Sequence, residues 1–204
     1  MKRNGLLFLL CVFAVSCFAT DSLIEKVAAL NKGNNYISSA FTETKVMPRI
    51  KKETKKYGNL YFVRESEKLM MRYTDPEGDY SLIENGTMYV RRGDKTLKFG
   101  NTQKDGKMSV FKSSLIYAMK GEVASVAAEN EAEITSEQSD TQYIFTLKRQ
   151  NNHKVGVKQI TLIYDKSTGA LVVLKIEEAN GNYTSYETPK PDTKTKLEDK
   201  VFAI

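Results

Sequence analysis

The chain has 204 residues, of which 41% are hydrophobic and 27% are charged, with a formal net charge of +6. This composition fits one ordinary globular domain and excludes an intrinsically disordered or collagen-like chain, and the charge is too small to indicate a nucleic-acid partner. One His, two Cys and no Trp leave few of the side chains from which catalytic sites are commonly built.

The first nineteen residues have the pattern of an export signal. Lys2 and Arg3 precede an apolar run over residues 6–15, and small residues lead to Ala19. The run is much shorter than the roughly 20 apolar residues that span a bilayer. We therefore predict a signal peptide over residues 1–19, cleaved on export to the periplasm, and a single domain over residues 20–204.

Both cysteines, Cys11 and Cys17, lie in this signal segment. Cleavage after Ala19 would remove them and leave a chain without thiol chemistry. A second interpretation takes residues 14–17 (AVSC) as a lipobox, in which Cys17 becomes an acylated N-terminus that anchors the protein to a membrane. Both interpretations place the protein outside the cytoplasm.

After the signal segment, the hydrophobic period changes from helix to strand. Leu23, Ile24, Val27 and Leu30 have helical spacing and predict an N-terminal helix. From Tyr36 onward, short runs of period two recur about every ten residues, separated by turn sequences such as Asn85-Gly86. Because strands do not alternate with helices, the pattern predicts an antiparallel sheet.

The strand pattern is interrupted once. Residues 108–120 carry a helical apolar stripe that Gly121 ends, and residues 123–128 predict a second short helix. Strands then return until Pro189, and residues 201–204 (VFAI) are expected to dock as an anchor. The predicted architecture is mainly β with some α: one large curved antiparallel sheet with helices packed on one face.

A search for catalytic chemistry gives no candidate residues. The sequence lacks a Gly-x-Ser-x-Gly motif and clustered metal ligands, and His153 lies in a polar segment that indicates a solvated turn. We therefore expect no enzyme activity, no metal and no cofactor. A secreted hydrolase with an unrecognised site is the alternative from another class, although no nucleophile and base can be named for it.

Two features of the predicted sheet each fit two interpretations. The basic run from Arg49 to Lys56 fits either a solvated hairpin arm or a patch for an acidic partner or a lipid headgroup. Several strands are apolar on both faces, as in residues 60–63 (LYFV) and 69–71 (LMM). That pattern fits either the core of a closed barrel or an apolar cavity for a lipid.

Four segments resemble the periplasmic outer-membrane lipoprotein carrier family (LolA-type). The family reads F-x-Q, then a glycine-initiated strand that ends in R-P, then a strand that ends in an aromatic residue and proline, and then an Asn/Asp-Gly hairpin. The matching segments are residues 39–44 (SAFTET), 58–64 (GNLYFVR), 69–76 (LMMRYTDP) and 85–89 (NGTMY). Glu43 replaces the usual Gln, and Glu65 replaces the Pro that follows the arginine.

The resemblance implies an incomplete, unclosed antiparallel β-barrel with a helical lid and an N-terminal helix, enclosing a cavity for acyl chains. Arg64 takes the position of the family arginine that hydrogen-bonds carbonyls of the lid helices and holds the empty form shut. An outward, solvated Arg64 is the alternative. The residues expected to line the cavity are Leu60, Phe62, Leu69, Met71, Tyr73, Met88, Val90, Phe111, Ile116 and Met119.

The function implied by this resemblance is that of a non-enzymatic, monomeric periplasmic chaperone. It would receive acylated lipoproteins from an inner-membrane lipoprotein-releasing transporter and deliver them to an outer-membrane acceptor or membrane. The alternatives are a Cys17-anchored outer-membrane lipoprotein that accepts lipoproteins, and an envelope protein that binds or senses acylated ligands.

Overall fold

The computed structural model describes residues 20–100, 107–150 and 156–204. The predicted signal segment with Cys11 and Cys17, and also His153, lie outside these ranges. Helix α1 covers residues 20–31, α2 covers Lys107–Met119 and α3 covers Val123–Glu129. Short 3₁₀ turns lie at Pro48–Ile50 and Asp199–Phe202. The three helices lie where the hydrophobic spacing predicts them.

The described residues form one antiparallel sheet of eleven strands, in the order β6-β5-β4-β3-β2-β1-β11-β10-β9-β8-β7. The strands are β1 Tyr36–Met47, β2 Lys52–Val63, β3 Lys68–Asp75, β4 Glu77–Glu84, β5 Thr87–Arg92, β6 Lys95–Phe99, β7 Ala132–Gln138, β8 Gln142–Arg149, β9 Val157–Asp165, β10 Leu171–Glu178 and β11 Tyr183–Glu187.

The sheet is a curved meander that does not close. Strand β1 joins its two halves by pairing with β2 on one side and with β11 on the other. Strands β6 and β7 are the two edges of this order. The unclosed antiparallel barrel expected from the sequence is therefore confirmed.

The helices cover the concave face of the sheet. Val27 of α1, Met119 of α2 and Val126 of α3 are at most 1% exposed and belong to the same apolar core as Leu60 and Phe62 of β2. Alternate residues of a strand point to one face, so the period-two pattern of β2 directs these side chains toward the helices. None of the described helices is long and apolar enough to cross a membrane.

The opposite face of β3–β5 is also apolar, and the C-terminal segment covers it. Met70, Tyr80 and Leu82 form a second core with Phe202, which is 6% exposed. Arg72 of β3 donates hydrogen bonds to the carbonyls of Val201 and Ala203. The expected anchoring of the C-terminus is thus confirmed, and the strands that are apolar on both faces have helices on one side and this segment on the other.

Candidate functional site

Arg64 joins the sheet to the ends of two helices. It follows the last residue of β2, and its guanidinium donates to the carbonyl of Asn31 at the end of α1 (3.0 Å) and to that of Lys120 at the end of α2 (2.9 Å). The last carbonyls of a helix have no intrahelical donor and carry partial negative charge, so a cation is well placed there. Burial lowers the pKa of Arg64, whereas nearby Glu122 acts to raise that pKa.

Asn31 completes this arrangement. Its side chain is fully buried; the amide nitrogen donates to the Gly169 carbonyl at 2.7 Å, and the side-chain oxygen accepts a hydrogen bond from Arg64. Gly169 lies in the turn between β9 and β10, so α1, α2, β2 and that turn meet at one point. We call Arg64, Asn31, Lys120, Gly121 and Gly169 the lid cluster.

Two glycines allow the segments of the lid cluster to pack closely. Gly121 has a φ of +72° and Gly169 a φ of +68°, a region that L side chains rarely adopt. A Cβ on Gly121 would lie 2.8 Å from the Cβ of Asn31, and one on Gly169 would lie 2.6 Å from the Cβ of Leu30. The end of α1 therefore approaches both turns more closely than any other residue type would permit.

Replacing Gly169 by alanine is expected to lower the free energy of unfolding by about 2–4 kcal/mol, because strain from the positive φ adds to the steric overlap with α1. Gly181→Ala is the matched control, since Gly181 has a φ of +85° but a Cβ at that position would meet no heavy atom within 4 Å. It should cost about 1 kcal/mol. Urea unfolding of both variants measures the difference, and equal losses would contradict the close contact.

Further contacts fix the C-terminal end of α2. The hydroxyl of Tyr164, which is buried on β9, donates to the carbonyl of Ala118 at 3.0 Å. The ammonium group of Lys120 forms ion pairs with Glu67 at 2.8 Å and Glu122 at 3.0 Å. These bonds hold the end of α2 at the same corner of the sheet as the lid cluster.

A cavity of roughly 130 Å³ lies near the other end of α2. Phe111 of α2 contacts Tyr186 of β11 there, with 5.2 Å between ring centroids. This volume is below the roughly 300–1,000 Å³ of sites that enclose a drug-sized ligand. With α2 in place, the cavity has room for part of an acyl chain. It is lined by Met108, Phe111, Gly156, Val157, Ile176, Glu178, Thr184 and Tyr186.

The residues expected to line an acyl cavity do meet on the concave face. Of the ten, Phe111 lies at this cavity, and it packs against the core without being fully buried. The others are 7% exposed or less and form a packed core with the helices. These nine are Leu60, Phe62, Leu69, Met71, Tyr73, Met88, Val90, Ile116 and Met119.

The concave face also carries a polar network that the sequence did not reveal. The Tyr73 hydroxyl donates to the carboxylate of Glu43 and accepts a hydrogen bond from Arg92 at 3.1 Å. Asp79, whose side chain is 5% exposed, lies 3.8 Å from Arg92 and 3.4 Å from Lys56. The two cations balance the two carboxylates, so the network can remain buried without an unpaired charge.

Three tyrosines, two of them buried and Tyr186 partly buried, make the fold sensitive to alkali. Burial raises the pKa values of Tyr73, Tyr164 and Tyr186, and the charge of Glu43 raises those of Tyr73 and Tyr186 further. A raised folded-state pKa gives stability that is complete below the unfolded value of about 10 and is lost as the pH rises above it. We expect cooperative unfolding above about pH 10, with these tyrosines ionising only as the chain unfolds. Tyrosinate absorbance and circular dichroism, recorded together, test this. Ionisation of every tyrosine while the fold persists would contradict it.

The described residues contain no group of three or more His, Cys, Asp or Glu side chains that could hold a metal ion. The polar groups of the lid cluster and Tyr164 hold α1 and α2 against the sheet.

No model of a protein family matches the sequence, and the search of curated proteins finds no match. Solved structures do match. MucB is 10% identical with a TM-score of 0.58, covering 91% of this chain and 62% of its own. The MucA/MucB complex of Pseudomonas aeruginosa matches at 11% identity with a TM-score of 0.55, covering 91% of this chain and 60% of the matched chain. A LolA superfamily protein of Nitrosomonas europaea is 10% identical with a TM-score of 0.43, covering 91% of this chain and 97% of its own.

The fold resembles that of MucB. At these identities the likeness concerns the fold alone, and the chain spans about three fifths of the length of MucB. The unclosed antiparallel sheet with its covering helices agrees with the fold implied by the resemblance of residues 39–44, 58–64, 69–76 and 85–89. It places Arg64 at the end of the second strand, beneath the helices that cover the concave face.

Proposed function

We propose that this chain is a non-enzymatic carrier that holds the acyl chains of lipoproteins on its concave face and moves them from the inner to the outer membrane. One observation carries the proposal. Helix α2 covers an apolar face, is fixed to the sheet by polar contacts at its C-terminal end, and borders a cavity near its N-terminal end. Helix α2 can therefore act as a lid that an acyl chain displaces.

Exchange of the lid for an acyl chain is energetically reasonable. Each buried methylene stabilises binding by about 0.8 kcal/mol. Burial of a long acyl chain can therefore offset the apolar contacts that are lost when α2 is displaced. The bonds of the lid cluster favour the closed state and therefore weaken net binding. A carrier needs this balance, because it must release its cargo to an acceptor without a source of chemical energy.

The route of such a carrier follows from its expected export. Residues 1–19 would direct it to the periplasm, where an inner-membrane lipoprotein-releasing transporter would load it and an outer-membrane acceptor or the membrane itself would unload it. Acylation of Cys17 would instead make it an anchored acceptor or lipid-binding lipoprotein. Mass determination of the mature N-terminus separates the two forms.

A second candidate function is that of an envelope protein that binds a protein partner and senses acylated ligands. The likeness to MucB favours it, because MucB gives a TM-score of 0.58 and a MucA/MucB complex has been solved. In this role the concave face would serve as a sensor, and an acyl ligand would change the affinity for the partner.

Purification of the exported protein from cell envelopes, followed by mass spectrometry of what it retains, tests both functions. The carrier function predicts acylated lipoproteins in stoichiometric amount, and their transfer from the purified complex to acceptor vesicles. A stable protein partner without transfer supports the second function. Absence of any acylated molecule would contradict both.

A further inference from the structure

The hairpin between β1 and β2 extends beyond β3 on one of its two sides. Strand β1 pairs with β11 only as far as Val46, and β2 pairs with β3 only from Tyr57 onward. Between these limits the two strands pair only with each other and end in the 3₁₀ turn Pro48–Ile50. We call residues 45–56 the basic arm; Lys45 and Val46 at its base also pair with β11.

The basic arm carries nearly all of the net charge of the chain. It holds six cations and one carboxylate, against a net charge of +6 for all 204 residues. Two of the cations have carboxylate partners, since Lys55 pairs with Glu53 at 3.2 Å and Lys56 with Asp79 at 3.4 Å. Among the described residues, none provides a carboxylate within salt-bridge distance of Arg49, Lys51 or Lys52.

An apolar side chain stands among these cations. Ile50 lies at the tip of the arm and is 66% exposed. The turn that presents it is closed by a hydrogen bond from the Lys51 amide to the Pro48 carbonyl, at 3.1 Å. The tip is therefore a defined protrusion in which one aliphatic side chain projects between Arg49 and Lys51.

We propose that the basic arm docks this protein onto an anionic membrane surface. Arg49, Lys51 and Lys52 would contact lipid phosphates while Ile50 enters the headgroup layer. Cations attract anionic lipids from solution, and an exposed apolar side chain gains free energy where the headgroups meet the acyl chains. An acidic protein would pair with the cations, but its charged surface would give the exposed Ile50 no apolar environment. The membrane is therefore the better partner.

The position of the arm relative to the cavity connects membrane docking with the proposed carrier function, and this step rests on that function. Thr184 lines the cavity and is the register partner of Lys45 at the base of the arm. Arg64 and the lid cluster lie at the other end of β2, twelve residues from Lys52 and thus roughly 40 Å away along the strand. Docking would place the cavity next to the bilayer and leave the lid cluster in solution.

Vesicle sedimentation tests the proposal with the exported protein, after mass spectrometry has established its N-terminus. We expect binding to vesicles of phosphatidylglycerol and phosphatidylcholine, and much weaker binding to phosphatidylcholine alone. The variant Arg49→Gln/Lys51→Gln/Lys52→Gln should bind the anionic vesicles about a hundredfold more weakly, since each cation near such a surface strengthens binding about fivefold. Ile50→Ser should weaken binding about tenfold and leave its salt dependence unchanged.

The matched control is Lys190→Gln/Lys194→Gln/Lys196→Gln, which removes the same charge from exposed positions of the C-terminal segment. It should keep wild-type binding. Equal weakening by both triple variants, or unchanged binding by the arm variant, would overturn the proposal, and so would equal binding to the two lipid mixtures. Retained acylated cargo is measured in the same preparations, and its amount should be the same in the arm variant as in the wild type. A protein that binds vesicles but retains no acylated cargo would contradict the carrier function and still support the docking proposal.

Discussion

The variant Arg64→Leu is expected to fold, but to expose the amides of α2 to solvent about a hundred times more often than the wild type. Its side chain cannot donate to the Asn31 and Lys120 carbonyls, which Arg64 contacts at 3.0 and 2.9 Å. Hydrogen bonds of charged groups contribute about 1.5–3 kcal/mol each, and because such losses are not additive we expect about 3 kcal/mol for lid opening. Hydrogen exchange of residues 107–129 measures the change.

The control for this prediction is Arg72→Leu. Arg72 is also a half-buried arginine that donates to backbone carbonyls, but it contacts Val201 and Ala203 on the other face of the sheet. It should increase exchange in the C-terminal segment and leave α2 protected. In transfer assays the Arg64 variant should hold cargo longer and deliver it poorly, whereas the Arg72 variant should resemble the wild type. Unchanged protection of α2 in Arg64→Leu would show that Arg64 does not act as the lid gate.

The variant Ile176→Asp is expected to lose acyl binding by about a hundredfold or more while remaining folded. Ile176 lines the cavity from β10 and is half-buried. A carboxylate at this position faces water when the cavity is empty, but an acyl chain would remove that water and leave the charge without a partner. We expect the free energy of unfolding to fall by no more than about 2 kcal/mol. Binding of a fluorescent fatty acid and urea unfolding measure the two effects.

Val173→Asp provides the comparison for Ile176→Asp. Val173 lies on the same strand and is also half-buried, but it points to the opposite face. Its substitution should leave acyl binding within about twofold of the wild type. Equal binding by both variants would place the acyl site elsewhere, and unfolding of Ile176→Asp would show that this part of the concave face is an ordinary core.

The elements with strong local patterns were predictable from the sequence. The hairpin at Asn85-Gly86 is one example, since Asn85 and Gly86 have φ values of 49° and 69°, the conformation that this dipeptide favours. Strand β6 carries no such signal, because four of its five residues are exposed and it has no buried face to produce an alternating pattern. The first half of β2 has no alternating pattern for the same reason, and the sequence indicated it only as one of two alternatives, a solvated hairpin arm from Arg49 to Lys56.

The lid cluster was only partly predictable. Arg64 was found through its motif, but its partner Asn31 was not, because the contact from Asn31 to Gly169 joins residues 138 positions apart. Local periodicity carries no information on such contacts. The sequence signal for this contact was the glycine at positions 121 and 169. Each glycine follows a helix or a strand, at a point where the end of α1 approaches too closely for a side chain. The hydrogen bond between Tyr73 and Glu43 was missed similarly, although Glu43 already departs from the family pattern at its position.

The open sheet has a mechanical consequence for any carrier of this shape. In a closed barrel, the number of strands and the stagger of their hydrogen bonds fix the diameter. Here β6 and β7 end the sheet without joining its circumference. The two halves on either side of β1 can change their separation by small adjustments of twist, without breaking any backbone ladder. In the proposed carrier function, the girth of the cargo would therefore be limited by the elasticity of the sheet, and one protein would accommodate lipoproteins with different numbers of acyl chains.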